Sequence, residues 1–300
     1  MREQISCEKL IYMKKKITGH TGVLAVYGSP IKHSGSPEMY NYSFERLGLD
    51  YVYVAFDIKE HDMKQALDAM KLFHMRGINI TMPGKTEAVK YLDELSPVAE
   101  IIGAVNTVVN EDGKLKGYIT DGEGYILDLK DHGIDIKGKK ITIAGAGGAA
   151  TAIQVQCALD GAREISIFNR SFERPRATIE KIKQYAPECI VNLYDINDVE
   201  KMTAEIQDSD IFANATSVGM APNDSESVVK DVSAFRPGLV VTDAVYNPEE
   251  TKLLRDAKEA GCISIGGRGM LWWQGYAAFK LFTGEEMPVH EIKENFYANK

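Results

Sequence analysis

A chain of 300 residues is long enough for about two domains, and its 44% hydrophobic and 26% charged residues supply ordinary globular cores. A formal net charge of −8, with no basic run beyond Lys14-Lys15-Lys16, argues against nucleic acid as a main partner. No apolar run approaches the about 20 residues of a membrane span, and the four cysteines, Cys7, Cys157, Cys189 and Cys262, form no CxxC pair, which fits reduced thiols in a cytoplasmic protein without a metal site.

Residues 1–20 read as an appendage, with Lys14 to Lys16 solvated. From Gly22 the pattern alternates: strand Val23 to Tyr27, helix Pro37 to Leu47, strand Tyr51 to Phe56, helix Lys59 to Phe73, strand Gly77 to Thr81, helix Thr86 to Leu92. Strands punctuated by helices of this length predict a mostly parallel sheet with crossover helices. Ala104 to Asn110 and Lys114 to Thr120 flank Glu111-Asp112-Gly113, a strong hairpin signal. Asp121-Gly122-Glu123-Gly124 is glycine-dense and lacks periodicity, so a domain boundary is expected there.

The stretch from Lys139 to Arg174 organises the second half. An apolar strand, Lys140 to Ala144, runs into Gly145-Ala146-Gly147-Gly148-Ala149-Ala150, then a helix to Asp160 and a second strand ending in Asn169-Arg170. Gly145, Gly147 and Ala150 fit the Gly-x-Gly-x-x-Gly/Ala dinucleotide fingerprint. The first glycine allows the tight turn, the second admits a pyrophosphate, and the third small residue lets helix and strand pack closely. The helix N-terminus then offers unpaired N–H groups and a positive dipole end. Further strands near 190–194, 210–214, 239–243 and 262–265 make six, the number of a dinucleotide-binding domain. Met270 to Leu281 is an apolar helix ended by Thr283-Gly284, expected to pack back on the first domain and close a cleft. The predicted fold is α/β with two domains: residues 1–120 plus 267–300 bind substrate, and 121–266 form a Rossmann domain.

Four polar stretches outside the nucleotide domain carry candidate chemistry. Ser34 and Ser36 lie just before a helix, where both hydroxyls can hold one carboxylate; the plainer reading is a helix cap ahead of Pro37. Asn79 to Lys85 follows a strand's carboxyl end, so Thr81 and Lys85 point toward a ligand site, although a lysine there is more often solvated. Asn106 interrupts an apolar strand, and Asp121 faces the expected cleft, with a simple turn residue as the alternative.

Together His33-Ser34-Gly35-Ser36-Pro37, Asn79 to Lys85, Gly103 to Thr107, Thr120-Asp121-Gly122, Gly145 to Ala150, Asn214 to Met220, Tyr246-Asn247-Pro248 and Gly269 to Gly275 resemble the shikimate dehydrogenase family, in its order and spacing, over about residues 22–290. Gly84 before Lys85 and the run Val241 to Pro248 look closer to its quinate/shikimate dehydrogenase branch; Tyr40-Asn41 departs from the usual His-Asn. The resemblance implies reversible, nicotinamide-dependent reduction of 3-dehydroshikimate in chorismate and aromatic amino acid biosynthesis, with quinate as an alternative substrate. It implies that Ser34, Ser36 and Thr81 hold the substrate carboxylate with Tyr246 nearby, and that Asn106, Asp121 and Gln274 bind ring hydroxyls. Lys85 with Asp121 would transfer the proton. Gly145, Ala146, Gly147, Gly148 and Ala149 would bind the cofactor, with Asn169, Arg170, Arg174, Thr216, Ala244, Gly267 and Met270. Asn169-Arg170 and Arg174 look like the family's NADP form, since guanidinium forks grip a 2′-phosphate; Glu173 stands one place from the acid of NAD-using members and keeps NAD open. A catalytically dead nucleotide sensor on the same fold has no need of both Lys85 and Asp121. The implied partners are a small-molecule substrate and, as an open alternative to a monomer, a second copy in a homodimer.

Overall fold

The computed structural model describes residues 17–297; the expectations for the first sixteen residues, Cys7 among them, lie outside that range. The first sheet uses strands β1 (Gly22–Gly28), β2 (Tyr51–Asp57), β3 (Gly77–Ile80), β4 (Glu94–Leu95), β5 (Thr107–Glu111) and β6 (Lys114–Tyr118), in the order β2-β1-β3-β5-β6-β4. Helices α1 (Ser36–Arg46) and α2 (Met63–Leu72) connect the parallel strands β1, β2 and β3. Strands β5 and β6 form the expected hairpin, its turn made by Asp112 and Gly113 at φ of 53° and 92°. Positive φ at both positions matches the right-handed twist of the flanking strands.

Residues 86–92 depart from expectation. They make only a short 3-10 turn, Ala88–Tyr91, because the chain must at once reach β4, which pairs with Lys116 and Gly117 of β6. Helix α3 (Pro97–Ile102) follows, capped by Ser96, whose hydroxyl accepts from the Ala99 amide at 3.3 Å.

Asp121-Gly122-Glu123-Gly124 is not an extended link but the first turn of α4 (Asp121–Asp131). Its glycines serve helix crossings. A Cβ on Gly122 would lie 2.4 Å from the Ala152 carbonyl of α5 (Gly148–Leu159), and one on Gly124 would lie 2.5 Å from the Gln274 nitrogen of α9 (Arg268–Thr283). Glycine here is a packing requirement of the helix crossings and not the mark of a link.

The second sheet comprises β7 (Lys140–Ala144), β8 (Glu164–Asn169), β9 (Ile190–Asp195), β10 (Ile211–Asn214), β11 (Val240–Asp243) and β12 (Ile263–Ile265), with α6 (Glu173–Tyr185), α7 (Val199–Gln207) and α8 (Lys252–Glu259) between successive strands. All are parallel, in the order β12-β11-β10-β7-β8-β9. Strand order reverses between β7 and β10, where a doubly wound sheet opens a ligand crevice. Lys140, the first residue of β7, is 4% exposed, its ammonium held by Glu205 and Asp208 at 2.8 Å and Glu164 at 3.2 Å.

Helix α9 returns to the first sheet, as expected. Its Ala278, Phe279 and Phe282 pack with Leu24, Val26, Tyr40 and Phe44. A Cβ on Gly77 would stand 2.4 Å from the Phe282 ring, so bare strand lets the helix close down. Helix α10 (Val289–Tyr297) completes that layer with Val289 and Ile292.

Candidate active site

Strand β3 ends at Ile80 in the first sheet, and α4 begins at Asp121 across from it. There Lys85 Nζ donates to Asp121 Oδ2 at 2.7 Å. Their side chains are 26% and 16% exposed, so the pair is sheltered yet reachable. Asn106 Nδ2 donates to the other carboxylate oxygen at 3.0 Å and lies 3.1 Å from Thr120 Oγ1. Asn106 Oδ1 accepts from the Thr120 amide at 2.9 Å and the Thr107 hydroxyl at 3.0 Å. Behind them Asn79 donates to the Asn106 carbonyl and to Thr107 Oγ1, and accepts from the Tyr53 hydroxyl at 2.7 Å. Tyr53 stacks on Tyr40, whose hydroxyl donates to the Gly275 carbonyl of α9 at 3.0 Å. Lys85 and Asp121 therefore sit at the mouth of a buried polar chain that fixes their geometry. Sequence reading found Lys85, Asn106 and Asp121 but assigned nothing to Asn79, Tyr53 or Thr107; the polar residue in the apolar strand β3 was the available signal.

Ser34 and Ser36 are half-buried. The N-cap of α1 is Gly35, with no side-chain capping bond. Ser34 Oγ accepts only a local bond from the Ser36 amide, at 3.3 Å. Neither hydroxyl is consumed by capping. Thr81 is drawn in by backbone, its amide donating to the Tyr27 carbonyl at 2.9 Å, and its methyl would stand 2.3 Å from a Cβ on Gly28. Gln274 Nε2 donates to the Leu271 carbonyl at 3.0 Å within α9. Tyr246 is 53% exposed in the loop after β11.

A second set gathers at the carboxyl edge of the other sheet. Gly145 has φ 110°, and a Cβ there would lie 2.8 Å from the Ala215 carbonyl, so the turn tolerates nothing larger. Gln154 of α5 closes it by donating to the Gly145 carbonyl at 2.8 Å. Beyond the turn, a Cβ on Gly147 or Gly148 would meet nothing within 4 Å. Residues 147–149 are exposed at the start of α5, whose first amides lack intrahelical acceptors. Ala150 is fully buried against the strand. This is the geometry of an anion cradle at a helix N-terminus.

Around the crevice, Asn214 donates to Asp243 Oδ1 at 2.9 Å and accepts from the Thr216 hydroxyl at 2.7 Å. Asp243 also accepts from the Thr251 hydroxyl at 2.7 Å and the Val245 amide at 3.0 Å. Burial pushes its carboxyl up to about 6 against these donors. The loops carrying Thr216 and Ala244 are thereby pinned together. A Cβ on Gly267 would stand 2.6 Å from the Ala244 carbonyl, which brings the start of α9, with Met270, into the same group. Arg170 and Arg174 are exposed after β8 and form no ion pair with any described residue, whereas Arg176 lies 5.7 Å over the Phe172 ring.

Residues 26–108 match the shikimate dehydrogenase substrate binding domain, 128–243 match shikimate / quinate 5-dehydrogenase, and 267–294 match the shikimate 5'-dehydrogenase C-terminal domain. A curated shikimate dehydrogenase (NADP(+)) of Listeria monocytogenes is 50% identical over 283 residues, covering 93% of this chain and 97% of the relative. The chain belongs to the shikimate dehydrogenase family. A crystal structure of the Listeria monocytogenes shikimate 5-dehydrogenase with shikimate and NAD superimposes with a TM-score of 0.91, over 94% of this chain and 98% of that one, at 50% identity. A quinate dehydrogenase from Corynebacterium glutamicum in complex with NAD has a TM-score of 0.82 at 30% identity, over 91% and 98% of the two chains. Membership of the shikimate dehydrogenase family fits the α/β fold with its two sheets. Among the described residues no helix is long and apolar enough to cross a membrane.

Proposed function

We propose that this chain is an NADP-dependent shikimate dehydrogenase, reversibly reducing 3-dehydroshikimate to shikimate in chorismate and aromatic amino acid biosynthesis. The observation that carries the reading is the Lys85–Asp121 contact of 2.7 Å, set in place by Asn106. The cradle over Gly147 and Gly148 has the open space and free amides a pyrophosphate needs, and the unpaired Arg170 and Arg174 suit a 2′-phosphate. Bound there, a nicotinamide supplies or accepts the hydride at the ring's C3.

In the reduction direction the Lys85 ammonium donates its proton to the substrate carbonyl oxygen as negative charge develops there. The Asp121 carboxylate accepts from that ammonium at 2.7 Å and so aims it. Asn106 keeps one Asp121 oxygen occupied, so the other stays on Lys85. In oxidation the proton passes the other way, from the ring hydroxyl to Lys85. Reduction consumes one proton and oxidation releases one, so the equilibrium moves toward 3-dehydroshikimate as pH rises, as the ratio of the two acids at equilibrium between pH 6 and 10 will read.

Ser34, Ser36 and Thr81 hold the substrate carboxylate, with Tyr246 at the rim and Gln274 on a ring hydroxyl. Substituting Ser34→Ala or Ser36→Ala removes a bond to a charged group, about 1.5–3 kcal/mol, so KM rises roughly 10–150-fold. Because neither side chain caps α1, the melting temperature stays near wild type; a drop in stability with unchanged KM sinks this assignment.

The division proposed for the domains is 1–120 with 267–300 for substrate and 121–266 for cofactor, in a cytoplasmic enzyme whose described thiols are free. A second reading, a quinate/shikimate dehydrogenase using NAD, is favoured by Glu173, exposed as the first residue of α6 (Glu173–Tyr185). Initial rates with shikimate and quinate, each with NADP and NAD, separate the two. Activity with neither acid overturns both.

A further inference from the structure

Tyr40 makes none of the substrate or cofactor contacts proposed above, yet its hydroxyl crosses from the first domain to α9. The residue is 1% exposed, stacks on Tyr53 with ring centroids 4.3 Å apart, and packs against Phe279 and Phe282 of α9. Its hydroxyl donates to the Gly275 carbonyl at 3.0 Å. Inside a helix that carbonyl already accepts from the amide four residues on, so the phenol adds a bond where none was owed. The helix that carries Tyr40 is firmly seated. Asn41 Nδ2 donates to the Tyr53 carbonyl at 2.8 Å and to the Pro37 carbonyl at 2.7 Å, and Asn41 Oδ1 accepts from the Tyr53 amide at 2.8 Å. Helix α1 is thereby locked to β2 little more than one turn after Ser36.

Gly275 stands where three helices meet. A Cβ on it would lie 2.5 Å from Met39 Cε of α1, and a Cβ on Gly124 of α4 would lie 2.5 Å from the Gln274 nitrogen. Helices α1 and α4 each begin with a proposed substrate contact, Ser36 and Asp121, and Gln274 directly precedes the carbonyl that Tyr40 holds. Among the described residues, the Gln274 side chain bonds only within its own helix, to the Leu271 carbonyl. Its place in the cleft therefore follows the backbone of α9. Bare glycine lets the helices close down, but van der Waals contact has little direction and resists neither rotation nor sliding. A hydrogen bond weakens steeply with angle and resists both. Arg76 supplies another tie, donating from Nε to the Phe282 carbonyl at 2.7 Å, two turns and about 10 Å further along α9.

We propose that Tyr40 is a positioning residue for the substrate: its hydroxyl, through the Gly275 carbonyl, sets the register of α9 so that Gln274 meets a ring hydroxyl. This rests on the dehydrogenase reading of Gln274.

Tyr40→Phe in the full chain removes the hydroxyl and keeps the ring, its stack and its packing. The Gly275 carbonyl retains its helix partner, so no buried polar group is stranded and the variant folds. Its kcat/KM for shikimate falls about 2–10-fold, up to the worth of one neutral hydrogen bond, while NADPH affinity by fluorescence titration stays close to wild type. Gln274→Ala alone lowers the same ratio by a similar factor. Because Tyr40 acts through Gln274, adding Tyr40→Phe to Gln274→Ala costs nothing further, which a double-mutant cycle reads directly. Arg76→Met cuts the tie at the far end of α9 and measures general loosening: it lowers the melting temperature and leaves kcat/KM for shikimate unchanged. An unchanged kcat/KM in Tyr40→Phe, full additivity with Gln274→Ala, or an equal fall in Arg76→Met overturns the proposal. A Gln274→Ala variant with wild-type kcat/KM overturns the parent assignment of Gln274, and this proposal with it.

Discussion

Replacing Lys85 with alanine lowers turnover by about 10²–10⁴, the usual worth of a positioned acid–base group, while the melting temperature and cofactor affinity stay close to wild type. The second half of that result is as diagnostic as the first. Lys85 is a quarter exposed and, among the described residues, its ammonium is bound to Asp121, so its removal opens no core cavity. Asp121 retains the Asn106 bond and partial access to water, and is not stranded as a fully buried charge. The cofactor contacts proposed above lie around the other sheet and the start of α9. Stopped-flow reduction of 3-dehydroshikimate, paired with thermal melts, checks both parts. A variant keeping more than about a tenth of wild-type turnover removes Lys85 from the proton step. Lys85→Arg keeps the positive charge but cannot give up a proton near neutral pH, so it is expected to be nearly as slow as the alanine variant.

Replacing Arg170 and Arg174 together collapses the use of NADP and leaves NAD use almost untouched. Each charge-assisted contact to a 2′-phosphate is worth about 1.5–3 kcal/mol, so the pair supplies a preference of about 10²–10⁴. Exposure of both side chains draws the value toward the lower end and makes it fall as salt is raised. Neither arginine is tied up by a described carboxylate, whereas Arg176 is already placed over Phe172. The ratio of kcat/KM for NADP and NAD, at low and high ionic strength, reads the outcome. A wild type that already prefers NAD refutes the NADP assignment and shifts attention to Glu173, which can accept from ribose hydroxyls; the fold and the ring chemistry survive.

Much of this site was legible because its residues break local rules. Asn106 is polar within an apolar strand, Gly145 and Gly147 punctuate a buried one, and Lys85 follows a strand end where ligands bind. Such violations mark function because a merely structural segment has no cause to carry them. What stayed hidden depends on crossings between distant elements. Gly122 and Gly124 read as a link because sequence cannot say that α5 and α9 press on those two positions. Nothing near Lys140 in the sequence shows that Glu164, Glu205 and Asp208 surround its ammonium. Residues 86–92 have a helix-like composition, and the short path to β4 overrode it.

The return of α9 to the first sheet has a consequence for how this protein is made. Leu24 and Val26 leave the ribosome some 250 residues before Phe279 and Phe282, the side chains that cover them. At about 5–20 residues per second, synthesis leaves that face of the sheet bare for roughly 10–50 s. The N-terminal half therefore cannot complete its core as a nascent chain, and it presents Tyr40, Phe44 and the bare strand at Gly77 to water or to a holding chaperone. The Rossmann sheet, contiguous from β7 to β12, has no such wait. It is expected to be the half that folds first, although it is the half made last.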